Sequence, residues 1–270
     1  MKLSNGTENF WSQIRNYILS SGVTIIVAFW YYGPKVGSII TFFLFLCFLW
    51  LLSDTKSKVL MGLPDEFQYE SANLNDYPML NFTWLQQQTS ELEALGFVQL
   101  IDYKLVGGNP GFARCFSHPE SYCYAEVFEV FQATGESFAR QAVISSNLAE
   151  GWHLATINRE ANIKDGISYG FWRNSKSVRT HHPEISFAEL LEKHLALRQR
   201  MIMDLGITVL TDVSWENYVK LQREGVIYRK RSLRGKIMLL AMIEVTQFEL
   251  NPKSEWLGDY AKFVKGKVNG

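Results

Sequence analysis

Charge is scarce at the start of this chain. Lys2, Glu8, Arg15 and Lys35 are the only Lys, Arg, Asp or Glu in residues 1–53. So little charge excludes a solvated surface along most of that segment. A net excess of positive charge is also missing, because 27 basic residues stand against 27 acidic ones. That balance argues against nucleic acid as a partner, which asks for a basic face. Cysteine is rare: Cys47, Cys115 and Cys123, an odd number, with Cys47 inside an apolar run. A secreted disulfide scaffold is therefore excluded. Catalytic and cofactor motifs are absent as well. No G-x-G-x-x-G, no phosphate loop ending in Gly-Lys-Ser/Thr, no G-x-S-x-G and no H-E-x-x-H occurs. The glycines of "VGGNPGFAR" (106–114) fit none of these spacings and read as a hairpin loop. No cofactor and no metal is expected, and internal repeats and low-complexity tracts are missing too.

What is present is the apolar run "GVTIIVAFWYYGPKVGSIITFFLFLCFLWLL", residues 22–52, with Lys35 its one charge. A helix crossing a bilayer needs about 20 residues, with a range of roughly 17–25. Uncharged residues run from Asn16 to Pro34 and again from Val36 to Ser53. One straight helix over both would be too long, and Pro34 would interrupt it. Gly33-Pro34-Lys35 reads as a tight turn, and the expectation is a transmembrane helical hairpin with spans at about 14–33 and 36–52. The second span is rich in Val, Ile, Leu and Phe and should insert unaided. The first is diluted by Asn16, Ser20, Ser21, Gly22 and Thr24. Its Ser20, Thr24 and Ala28 form a small-residue face for close helix packing. Trp30, Tyr31 and Tyr32 suit an aromatic belt. A cleaved signal peptide fits poorly, because the run is too long and lacks a small-x-small site. Lys2, Arg15, Lys56 and Lys58 outweigh Lys35, which places both termini and the soluble domain on the cytoplasmic side. The sequons at Asn5 and Asn81 then read as accidental.

Beyond the anchor (1–53), residues 54–80 look like a linker, 81–250 like a soluble α+β domain, and 251–270 like an amphipathic tail. A helix is expected over Thr83–Leu95, stopped by Gly96. Strands follow at 98–106, 112–117, 122–133, 137–149 and 153–158, where side chains alternate and turn residues recur. Connections this short suit an antiparallel meander of about five strands packed by helices. "SYGFW" (168–172) reads as one more strand. Ser186 and Glu189 match a capping box, and Gly206 suits the C′ position of the helix they start. A second helix is expected over Ser214–Glu224. Helical spacing also links Trp256, Tyr260, Phe263 and Val264.

Candidate sites are sparse. "RKRSLRGK" (229–236) holds Arg229, Lys230, Arg231, Arg234 and Lys236, and leads into "IMLLAMIEV", read as one helix with it. Five cations beside an apolar helix suit an anionic membrane surface; the alternative is a solvated helix end before a core helix. His181 and His182 could ligate a metal or relay protons, but neighbours in an extended chain point apart. His153 and Asn158 could join them as polar groups of a pocket between the sheet and the helix from Phe187. His194, on an apolar stripe, reads as a hydrogen-bonded core histidine. Cys115 and Cys123 would lie opposite each other across a hairpin turning at Pro119, beside His118, but a zinc site would lack its fourth ligand. Two functions follow. One is a membrane-anchored, non-catalytic accessory, assembly or scaffolding protein, whose partners are the lipid bilayer and other membrane-protein subunits. The other is a lipid- or small-ligand-binding domain, or a hydrolase of unfamiliar type.

Overall fold

The computed structural model of the chain describes residues 3–106 and 110–268. The hairpin loop expected around Gly107-Gly108-Asn109 lies outside the described residues. The chain forms two compact units. The first gathers Met1–Leu63, Asn162–Arg173 and Arg229–Pro252, and the second gathers Pro64–Ala161, Asn174–Tyr228 and Lys253–Gly270.

In the first unit, α1 runs Asn5–Met61 as a single helical element. Ser4 caps its start by accepting from the Thr7 backbone N–H. The two expected spans are corrected by this element: among the described residues, one helix alone is long and apolar enough to cross a membrane. The two-span localisation, with both termini on one side, falls with them. Gly33-Pro34-Lys35 forms a kink inside this element, not a loop between two helices. Only Gly33 leaves helical geometry (φ 75, ψ 177), a conformation glycine adopts without a Cβ penalty. Pro34 has no N–H to satisfy and a φ already suited to a first helical turn, so the helix resumes at once. The Tyr17 hydroxyl donates to the Leu44 carbonyl, and the Tyr17 ring lies 5.7 Å from Phe48. A straight helix would hold Tyr17 and Leu44 about 40 Å apart, so α1 bends back on itself at Gly33.

Helix α3 (Gly166–Trp172) and helix α6 (Met238–Leu250) complete this unit. "SYGFW" is thus helical, not a strand. Its glycine lets it approach α6: a Cβ on Gly170 would sit 2.5 Å from Val245 Cγ2 and 2.8 Å from the Ala241 carbonyl. Phe10 and Ile14 of α1 pack in one apolar cluster with Phe171, Met238, Met242 and Val245. Glu249, buried in α6, accepts from Ser4 N (3.0 Å), Ser4 Oγ (2.7 Å) and Thr7 Oγ1 (3.0 Å). A carboxylate at a helix N-terminus also meets the positive end of its dipole.

The second unit is built on one sheet of eight strands in sequential order. They are β1 (Gln68–Ser71), β2 (Val98–Val106), β3 (Gly111–His118), β4 (Cys123–Phe131), β5 (Ser137–Leu148), β6 (Trp152–Ile157), β7 (Ser177–His181) and β8 (Glu255–Trp256). The five-strand antiparallel expectation is corrected in number and in direction. Strands β2–β6 fall where alternation signalled them. Strands β1 and β8 come from the presumed linker and the presumed amphipathic tail, and β7 from residues for which no element is expected. They are short and carry no apolar alternation, so only pairing with a neighbour makes them strands. Strand β7 runs parallel to β6, with Ile157 opposite His181. The long connection 158–176 makes that crossover possible.

Helix α2 (Phe82–Ala94) and helix α4 (Phe187–Leu205) share one core with the sheet: Leu85 and Leu92 meet Phe112, Phe116, Phe131, Ile144, Phe187 and Leu190. Burying each such side chain is worth about 1.5–3 kcal/mol. Helix α4 starts on the expected capping box, with both reciprocal bonds made, and ends at Gly206 with φ 67. Helix α5 (Trp215–Gly235) runs straight through Gly225, where an end was expected. The basic stretch therefore closes α5, and α6 begins anew at Met238. On the opposite sheet face, Tyr218 of α5 packs with Tyr103, Cys115 and Tyr124. Trp256 sits in β8, so only Tyr260, Phe263 and Val264 share the last helix, α7 (Tyr260–Val268).

Candidate functional site

A groove of about 530 Å³ separates α2 from the start of α4. Trp84, Gln88 and Glu91 of α2 face it, and so do Asn158 after β6, Glu184 in the preceding loop and Phe187 of α4. Gln88 sits on the buried stripe of α2, between Leu85 and Leu92, and is 8% exposed. Its amide has no protein hydrogen-bond partner among the described residues and opens to solvent in the groove. Asn158 is committed to the backbone, since its side-chain oxygen accepts from Ala142 N at 2.9 Å. Arg140 lies over the Trp84 ring at 5.2 Å and pairs with Glu129 at 2.6 Å.

Of the expected pocket residues, the groove includes Asn158 and no histidine. His153 stands at the β6 position opposite Ser177, and His181 at the β7 position opposite Ile157. That separates the two by about 13 Å along the strands. Burial pushes His153 down to about 4, with Arg179 adding to the effect. The His181 ring is buried against Trp256, and its Nδ1 lies 3.2 Å from the Ser254 carbonyl. His182 is half-buried; burial lowers its pKa, Lys193 lowers it further and Glu255 opposes them. None of the three lines the groove.

His194 carries the geometry that most resembles chemistry. Its Nε2 lies 2.8 Å from Ser146 Oγ and its Nδ1 2.9 Å from Thr156 Oγ1. A serine beside a histidine is the start of a nucleophile–base pair. Here Ser146 and His194 are both 0% exposed, so no substrate reaches them. Arg198 also donates to Ser146, at 3.1 Å. The arrangement ties α4 to β5 and β6 as a buried polar strut. Sequence placed His194 in the core but had no sign of its partners, which lie 48 and 38 residues away.

Two further groupings carry no alternation signal of their own. Glu126 accepts from the Tyr218 hydroxyl at 2.5 Å, and Tyr218 lies 3.2 Å from the Tyr103 hydroxyl. Burial raises the Glu126 carboxyl, while the two tyrosine hydroxyls lower it. Cys115 faces this cluster, opposite Glu126 in the strand register. Cys123 instead pairs with His118 and packs into the α2–α4 core. The expected opposition of Cys115 and Cys123 is thereby corrected: the register is shifted by three residues, and they serve opposite faces. Among the described residues no group of His, Cys, Asp and Glu could hold a metal ion. Burial pushes the Cys123 thiol up to about 12, and burial together with Glu126 raises Cys115 well above its ordinary value. Both should resist iodoacetamide at pH 8 in the folded chain and react once it is denatured, as intact-mass measurement would read.

The cations of 229–236 belong to the first unit. Arg231 and Arg234 are exposed, and Arg229 and Lys230 are half-buried. Lys236 donates to the Gly170 carbonyl and pairs with Glu244 at 3.3 Å. The Lys56 ammonium caps this end of α5, donating to the Arg234 (2.6 Å) and Lys236 (2.9 Å) carbonyls. No family model, curated protein or solved structure matches the chain.

Proposed function

We propose that this is a membrane-associated, non-catalytic accessory or assembly protein, in which an apolar helix recruits an α+β interaction domain to a bilayer. One observation carries the reading: α1 turns its large apolar side chains outward. Ile26 is 69% exposed, Trp30 83%, Phe43 61% and Trp50 69%. Soluble monomers rarely leave contiguous apolar surface of this extent uncovered, and lipid is the solvent that suits it. The other partners proposed are membrane-protein subunits that meet the domain at that surface.

A second surface of the same unit supports it. Ile237, Leu240, Ile243 and Leu250 are exposed along one side of α6, at helical spacing. Arg231 and Arg234 are exposed just before them. In the proposal this stripe lies in the interfacial layer, with Arg229, Lys230, Arg231, Arg234 and Lys236 toward anionic headgroups. Arg231 and Arg234 contribute most, because Lys236 already has protein partners.

The test uses the full chain in nanodiscs, with a nitroxide on Leu240→Cys in a Cys47→Ala background. Oxygen accessibility at 240 should exceed that of a water-soluble nickel chelate when anionic lipid is present. Each cation near such a surface is worth about 1 kcal/mol. Arg231→Gln with Arg234→Gln should therefore shift the docked ratio by roughly 30-fold. A label at 240 that stays water-accessible in every lipid would refute the interfacial placement.

A further inference from the structure

We infer that the groove between α2 and the start of α4 binds a small organic cation carrying an apolar stem. This goes beyond membrane association and stands on residues of the second unit alone. Gln88 makes the groove more than a surface depression. It occupies a core position, nine-tenths buried, and presents an amide that no described residue matches. Its amide opens to the groove, so water pairs it when the groove is empty, and a ligand that enters must replace those bonds. A primary amide offers one acceptor oxygen and two N–H donors.

The remaining lining narrows the ligand. Trp84, Ile185 and Phe187 supply apolar wall. Glu91 and Glu184 are the charged residues lining the groove, and both are negative. Arg140, beside Trp84, is already neutralised by Glu129. An anionic ligand would meet two carboxylates and no available cation. A purely apolar ligand would leave Gln88 unmatched. An ammonium or guanidinium group donates to the Gln88 oxygen, is drawn by both carboxylates, and lets its stem lie along the aromatic wall. The volume of about 530 Å³ suits a small molecule rather than a folded partner.

The test is equilibrium dialysis of the full chain in non-ionic detergent against three probes of one shape: 2-phenylethylamine, 2-phenylethanol and 3-phenylpropionate. The amine should bind at least about 10-fold tighter than the alcohol, and the carboxylate weakest. Glu91→Gln with Glu184→Gln should bring the amine down to the level of the alcohol. Gln88→Leu should weaken the amine about 10-fold while its melting midpoint holds or rises. The Glu91/Glu184 pair is not in the core, so it keeps the test decisive if Gln88→Leu folds poorly. Binding of none of the probes, equal binding of carboxylate and amine, or unchanged amine affinity in the double glutamine variant would overturn the inference.

Discussion

Replacing His194 by alanine should cost the α+β unit about 4 kcal/mol, one of the two largest effects expected in this chain. The residue is 0% exposed and bridges Ser146 and Thr156. Its removal opens a cavity and strips a partner from two buried hydroxyls. A domain of ordinary stability has only about 5–15 kcal/mol in total. Changing all three positions together, His194→Leu with Ser146→Ala and Thr156→Val, should recover much of the loss, because the stranded hydroxyls go with the imidazole. Urea unfolding of each variant reads both outcomes.

The same histidine should make the unit acid-sensitive. Burial, Arg198 and His153 push it down to about 3, from an ordinary 6.5. Between those values the folded chain binds fewer protons than the unfolded one. Stability is therefore whole above pH 6.5 and declines as pH falls toward 3, by at most about 1.4 kcal/mol per pH unit for this group. His153 is lowered too and acts in the same direction. His194→Gln should flatten the curve between pH 6.5 and 4 without abolishing it. An unchanged slope would mean that His194 is protonated in the fold.

The other large effect concerns α1. Phe43 and Leu46 are 61% and 43% exposed. A lysine at the centre of a lipid-embedded helix costs about 2.5–3.5 kcal/mol on insertion scales. Phe43→Lys with Leu46→Lys should thus lower membrane integration of newly made chains by several orders of magnitude, read by flotation with liposomes. Met203→Lys, at an exposed position of α4, should leave flotation unchanged. Equal flotation of the two variants would mean that the apolar face of α1 does not meet lipid.

How far the sequence reached depended on whether the deciding interaction was local. The α4 cap at Ser186 and Glu189 was legible because both partners lie within one turn, and β2–β6 because alternation is written into each strand. The α1 break was legible in place but not in form. Gly33-Pro34 marks a change of direction, yet glycine's positive φ and proline's fitness for a first turn let it happen within a single helical element. Gly170 went the other way: a strand-like pentapeptide is helical because α6 packs where its side chain would be. Strands β1, β7 and β8 have no periodicity to read, since their neighbours alone define them. At the candidate site Asn158 was named, but the histidines grouped with it lie elsewhere, His153 in β6, His181 at the end of β7 and His182 just after it. Gln88 did carry a signal, as a polar residue three after Leu85 and four before Leu92, on a buried stripe it shares with Thr89. That signal becomes a site only when the start of α4 is seen to wall the other side.

The outward apolar face of α1 is the premise on which membrane recruitment stands. Alkaline carbonate treatment of membranes from cells making the unmodified chain tests it most directly. The chain should stay with the lipid pellet and leave it only with detergent. Recovery in the supernatant as a dissolved monomer would contradict membrane association.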